Sequence, residues 1–129
     1  MKKNTSFLTI IFVIAIAFSS CGKGTDPAVK AVEDYVNALV NKDASSLSIL
    51  SCATWEANAQ LELDSFSAVK TRLEGLDCSV TGTVGTTTEV VCKGKIITTY
   101  NNEDQSVDLS VNTYQVVKQG SDYLMCGYK

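Results

Sequence analysis

The period of the apolar residues changes once along this chain, and that change restricts the fold more than any other feature. Val29, Val32, Val36, Leu39 and Val40 recur every three or four residues, as on one face of a helix, with Tyr35 on the flank. Lys30, Glu33, Asp34 and Asn37 form the wet face. Asp26-Pro27 is a helix start, an N-cap acceptor followed by proline at the first helical position. Asp43 is expected to cap a second short helix carrying Leu47 and Leu50, and Thr54 a third that begins at Trp55. A restart at Asp64 or Ser65 would turn Phe66, Val69 and Leu73 inward and stop at Gly75. From Leu76 the period falls to two and β-branched residues dominate. Four strands follow, over about 76–83, 88–100, 106–118 and 122–128, with turns near Gly85, Asn102-Glu103 and Gln119-Gly120. Helices followed by an antiparallel meander predict an α+β layered fold.

The turns fix the registers. A first hairpin centred on Gly85 sets Cys78 opposite Cys92 and Val80 opposite Val90. A second, centred between Asn102 and Glu103, sets Ile96 opposite Leu109 and Cys92 opposite Thr113. A two-residue turn at Gln119-Gly120 sets Cys126 opposite Thr113. One face then carries Leu76, Cys78, Val80, Val90, Cys92, Ile96, Leu109, Val111, Leu124 and Cys126, the face for the helices to cover. The other carries Val91, Tyr114, Val116, Tyr123 and Met125, an apolar patch expected to act as an interface, for instance in a homodimer.

In these registers Cys92 and Cys126 are two strand spacings apart, about 9.6 Å, too far for a disulfide. The expected pairs are therefore Cys78–Cys92 within the sheet and Cys52–Cys126 between the helices and the last strand. An even number of cysteines in a small exported domain is consistent with two such bridges. Their spacings contain no Cys-x-x-Cys. The chain has no histidine, which removes Ser-His-Asp and Cys-His nucleophilic mechanisms and most zinc sites. Asn101-Asn102-Glu103-Asp104 lacks the glycine and ligand spacing of a calcium loop. No metal or cofactor is expected.

The start of the chain has another character. Lys2-Lys3 precede Phe7 to Phe18, which is apolar except for Thr9, and Ser19-Ser20-Cys21 follow. The run is shorter than the roughly 20 residues of a membrane-spanning helix and has the form of a signal segment. Phe18-Ser19-Ser20-Cys21 resembles the lipobox of bacterial lipoproteins, with Phe18 where the family usually has Leu. The resemblance implies cleavage after Ser20 and a lipidated Cys21 at the new N-terminus, hence a signal peptide over 1–20, a lipidated linker over 21–25 and a domain over 26–129. More than one acyl chain holds a protein stably on a bilayer. The linker reaches at most roughly 18 Å, so the domain would sit on the extracytoplasmic side, close to the cell membrane or outer membrane.

Lys2 and Lys3 account for two of the 11 basic residues, so cleavage leaves nine against 14 acidic ones, a net charge of −5. No basic stripe appears, which argues against nucleic acid. The same balance argues against attraction to anionic lipid by charge, so the acyl anchor is expected to hold the membrane.

Tyr35-Val36-Asn37-Ala38-Leu39-Val40-Asn41-Lys42-Asp43, where the first helix runs into the second, resembles the nuclear transport factor 2-like superfamily. The resemblance covers about residues 27–128. It implies a cone-shaped α+β domain, with helices on a curved four-stranded antiparallel sheet, that often dimerises through the outer sheet face. The same stretch resembles the first helix of ketosteroid isomerase, whose tyrosine donates to an enolate oxygen in an apolar pocket, and Tyr35 falls at that position. The catalytic base has no counterpart after Leu50, where Glu56 is the nearest acid, and Asp108 is expected to point outward from the sheet. Two of the three roles are thus missing. The resulting expectation is a non-catalytic module that binds a small apolar ligand among Tyr35, Trp55 and Glu56, or a protein partner. The alternative is an isomerase-like enzyme using Tyr35.

Overall fold

The computed structural model describes residues 25–129. The apolar segment, the expected cleavage point, Cys21 and most of the linker lie outside the described residues. The domain is α+β. Helices α1 (Pro27–Asn41), α2 (Ala44–Leu50) and α3 (Glu56–Ser65) precede strands β1 (Lys70–Val84), β2 (Thr87–Tyr100), β3 (Glu103–Asp108), β4 (Thr113–Gln119) and β5 (Asp122–Tyr128). A single 3-10 turn, Leu109–Val111, separates β3 from β4. Among the described residues, no helix is long and apolar enough to cross a membrane.

Each helix start answers to a local cause. Asp26 accepts a hydrogen bond from the Ala28 N–H at 2.8 Å, with Pro27 in the first turn. Asp43 accepts from the Ser46 N–H at 3.0 Å and opens α2. The helix α3 has no side-chain cap: Trp55 holds the capping position, and Thr54 does not fill the role expected of it. The restart near Asp64 does not occur. The chain turns after Phe66 and is already extended at Lys70, so Leu73 reaches the core from a strand.

The sheet is antiparallel in the order β1-β2-β4-β5, with β3 beside β2. Its first hairpin has the expected register, Cys78 opposite Cys92 and Val80 opposite Val90. Gly75 is not a helix stop. It has φ +64 and lies where the register between β1 and β2 slips, between Glu74 and Asp77. Gly94 faces that bulge at φ +108, and a Cβ there would sit 2.7 Å from the carbonyl oxygens of Glu74 and Gly75. Only glycine lets the strands approach this closely, and such bulges bend a sheet.

The later registers differ from expectation. The second turn is Asn101-Asn102, both at positive φ, with Tyr100 opposite Glu103 and Ile96 opposite Val107 rather than Leu109. Asparagine tolerates the left-handed conformation, so the turn centres on the pair. In the third turn Gly120 takes the first central position, so Gln119 pairs with Asp122. Between these turns the 3-10 segment interrupts the expected third strand and reverses which residues face inward. Thr113 consequently lies opposite Val91, not Cys92, and Gln115, not Thr113, lies next to the Cys126 segment, opposite Gly127.

The expected outer patch is therefore largely interior. Tyr114 pairs with Val90, and Val116 with Met125; Tyr114, Val116 and Met125 are at most 3% exposed. Tyr123 packs against the same core. Only Val91 keeps the outward position assigned to it. Conversely Val111, expected inside, is exposed.

The core lies between the helices and the inner sheet face, with Val32, Tyr35, Val36, Leu47, Val90, Cys92, Val116 and Met125 fully buried. Cys52 is bonded to Cys126 and Cys78 to Cys92, with Cα separations of 5.3 and 4.0 Å, the pairs that the strand spacing called for. The Cys52 N–H also donates to the Met125 carbonyl at 2.9 Å, tying the start of α3 to β5.

Candidate functional site

Tyr35 is the one large polar residue that α1 sends into the core. Burial of a phenol requires partners for its oxygen and its proton. Both come from α3. The Tyr35 hydroxyl donates to Glu62 Oε2 at 2.5 Å and accepts from Trp55 Nε1 at 3.0 Å. Trp55 and Glu62 are seven residues apart, two helical turns, and so lie on one face. β4 and β5 close the group. The Tyr128 ring meets those of Trp55 and Tyr114 edge to face, with centroids 5.3 and 6.0 Å apart.

A cavity of about 110 Å³ opens beside this cluster. Tyr35, Glu62, Asn112, Tyr114 and Tyr128 bring polar groups to it, while Phe66, Ile96 and Leu109 supply apolar wall. Two broader grooves, of about 350 and 330 Å³, run along α1 over exposed side chains such as Ile49.

The phenols are held neutral. Burial pushes Tyr35 far above the ordinary tyrosine value, and its bond to the Glu62 carboxylate and that group's charge push the same way; the Trp55 N–H opposes them. Tyr128 is pushed up to about 12, first by its interaction with the nearby Glu62 carboxylate, then by burial and the Glu62 charge. Burial raises Tyr114, the Asn112 side chain lowers it, and the Glu62 charge raises it. A phenol bonded to a carboxylate gives up its proton reluctantly.

Of the residues expected to line a pocket, Tyr35 and Trp55 come together and Glu56 does not. Glu56 is exposed and accepts a hydrogen bond from Ser48 on α2. The acid beside Tyr35 is Glu62, which the sequence reading passed over. The spacing of seven from Trp55 could have found it, once a helix from Trp55 had been accepted. Asp108 points outward and caps the 3-10 turn, accepting from the Ser110 N–H at 2.9 Å and its hydroxyl at 2.7 Å. Among the described residues, no three carboxylate or thiol groups converge as metal ligands would.

The arrangement can present a single carboxylate, flanked by hydroxyls and aromatic rings, to something entering the cavity. It offers a base but no second acid. No family model matches the chain, and no curated protein matches it. Among solved structures, the chain is similar to a designed protein of the nuclear transport factor 2-like type, Rd1NTF2_05 carrying five substitutions. The TM-score is 0.45 at 11% identity, and the match covers 78% of this chain and 94% of that one.

Proposed function

We propose that the chain is an extracytoplasmic lipoprotein, anchored through Cys21, whose nuclear transport factor 2-like domain binds a small ligand without transforming it. The observation that carries this reading is the Glu62 carboxylate, set among tyrosine hydroxyls in the wall of a largely apolar cavity. Ligand sites have this composition, with an apolar lining and a few convergent polar groups. The two disulfides fit an oxidising compartment.

An isomerase-like role for Tyr35 is the second reading, favoured by the tyrosine and carboxylate side by side. It demands a hydroxyl free to donate to a developing oxyanion. The Tyr35 proton is engaged by Glu62, and that bond makes the phenol a weaker acid. Binding without chemistry is therefore the better account.

Two measurements test the proposal. Intact mass of protein extracted from membranes should show an acylated chain beginning at Cys21, and Cys21→Ser should release the protein to the soluble fraction. A screen of small molecules followed by the indole resonance of Trp55 should yield saturable shifts. A screen in which no compound moves the resonances of Trp55, Tyr35 or Tyr128 removes the binding reading, and a ketosteroid turned over in a Tyr35-dependent way revives the enzyme.

A further inference from the structure

Resting on the reading of the cavity as a ligand site, we infer that it takes a small organic cation, an alkylammonium head group. Glu62 carries the negative charge that raises both Tyr35 and Tyr128, and it is only partly exposed. Nothing described neutralises it. The ion pairs among the described residues are Lys30–Asp34, Arg72–Glu74, Arg72–Asp104 and Lys129–Glu89, none of which involves Glu62. Among the described residues, no lysine or arginine lines the cavity. A carboxylate in a cavity wall without a counter-ion gains from a cation that enters beside it and donates hydrogen bonds to it.

The surroundings select among cations. A carboxylate offers about four acceptor positions, and the Tyr35 hydroxyl occupies one. The remaining positions suit a ligand with N–H donors. Tyr35, Phe66, Tyr114 and Tyr128 surround the space with aromatic rings, whose electron-rich faces favour a positive head group over a neutral one. An anion would meet the Glu62 charge. A neutral apolar guest would desolvate the carboxylate and return nothing. The volume, about 110 Å³, is well below the roughly 300 Å³ at which sites for drug-sized ligands begin. A primary ammonium with a short alkyl chain is the matching class.

The test uses the full chain and three probes of similar shape: propylammonium, 1-propanol and propionate. Binding is followed by calorimetry and by the Trp55 indole N–H signal. Propylammonium should bind saturably and shift that signal, its affinity falling as salt is added. Propanol and propionate should leave the signal in place. Glu62→Gln should weaken propylammonium about tenfold or more, the worth of a hydrogen bond to a charged group. Should Glu62→Gln misfold, the salt dependence in the unsubstituted protein still decides. Equal response to propylammonium and propanol, or salt-independent binding, overturns the cation assignment and leaves the cavity standing as a ligand site. Failure of every probe, together with an empty small-molecule screen, removes the ligand site itself.

Discussion

Around Val32, Leu47, Val90, Val116 and Met125 the core is fully buried and nearly all apolar; Ser51, which is buried there, donates its hydroxyl to the Leu47 carbonyl at 2.8 Å. Around Tyr35, Glu62, Tyr114 and Tyr128 it holds a carboxylate, three hydroxyls and a cavity. The same helix supplies both regions, since Val32 and Tyr35 stand one turn apart on α1. The closed region has the properties of a structure built for stability: apolar side chains packed together, and its buried Ser51 hydroxyl satisfied by a backbone carbonyl. The open region leaves space unfilled and keeps a charge beside it. Packing that stopped short of closing there forgoes stability, as binding sites commonly do.

Breaking the link between the two regions should have the largest effect. The Cys52–Cys126 bridge joins the start of α3, which carries Trp55 and Glu62, to β5, which carries Met125 and Tyr128. Its two cysteines are 74 residues apart. By the loop-entropy relation, Cys52→Ala combined with Cys126→Ala should cost about 4 kcal/mol, read from urea midpoints. A loss below about 1 kcal/mol would show that packing alone holds α3 in place.

Within the closed region, Met125→Ala should cost about 3 kcal/mol, because Met125 is fully buried and its removal leaves a hole. Within the open region, Tyr35→Phe should cost less, about 1.5 kcal/mol. The cavity offers water a place beside the Glu62 carboxylate once the hydroxyl is gone. Equal losses from the two substitutions would erase the distinction between the regions.

The smallest effect separates them most cleanly, because the open region alone contains groups whose titration moves. Tyr35, Tyr114 and Tyr128 hold their protons more tightly when folded than the ordinary tyrosine value near 10. Their contribution to stability is thus full below pH 10, where folded and unfolded phenols are both protonated. Above that, the unfolded chain releases protons that the folded chain keeps, and stability declines through about pH 12, where Tyr128 ionises. Urea midpoints measured from pH 8 upward should stay level and then drop above pH 10. Glu62→Gln removes the charge that opposes the tyrosinates, so a tyrosinate absorbance titration should show Tyr128 ionising at lower pH. Unchanged titration in that variant would place Glu62 away from Tyr128.

Much of this was legible in the chain. Asp26-Pro27 and Asp43 act within one turn of themselves, so their caps follow from sequence alone. The register that joins Cys78 to Cys92 followed from a turn centred on Gly85. The misreadings share a different cause. Val69, Thr71 and Leu73 alternate with Lys70, Arg72 and Glu74, a strand signal that a helical reading of Leu73 and Gly75 obscured. The 3-10 turn at Leu109–Val111 carries no such signal, and it reversed the faces of Tyr114 and Val116. A slip of one residue exchanges the two faces of a strand, so a small local error moved a whole patch from inside to outside. Glu62 was missed because its significance lies in a contact with a residue 27 positions away.

The sequence by itself determined that helices come first and an antiparallel sheet follows, the first two helix starts, the stripe of α1 and the Cys78–Cys92 pair, because each follows from neighbours a few residues apart or from a turn that fixes one hairpin. Only the tertiary structure decided that Glu62 and not Glu56 meets Tyr35, that Tyr114 and Met125 lie inside, and that a cavity remains beside them. Those outcomes depend on where α3 lands on the sheet and on which face each strand shows after its bulges and breaks. Long-range packing settles both, and no local preference along the chain encodes either.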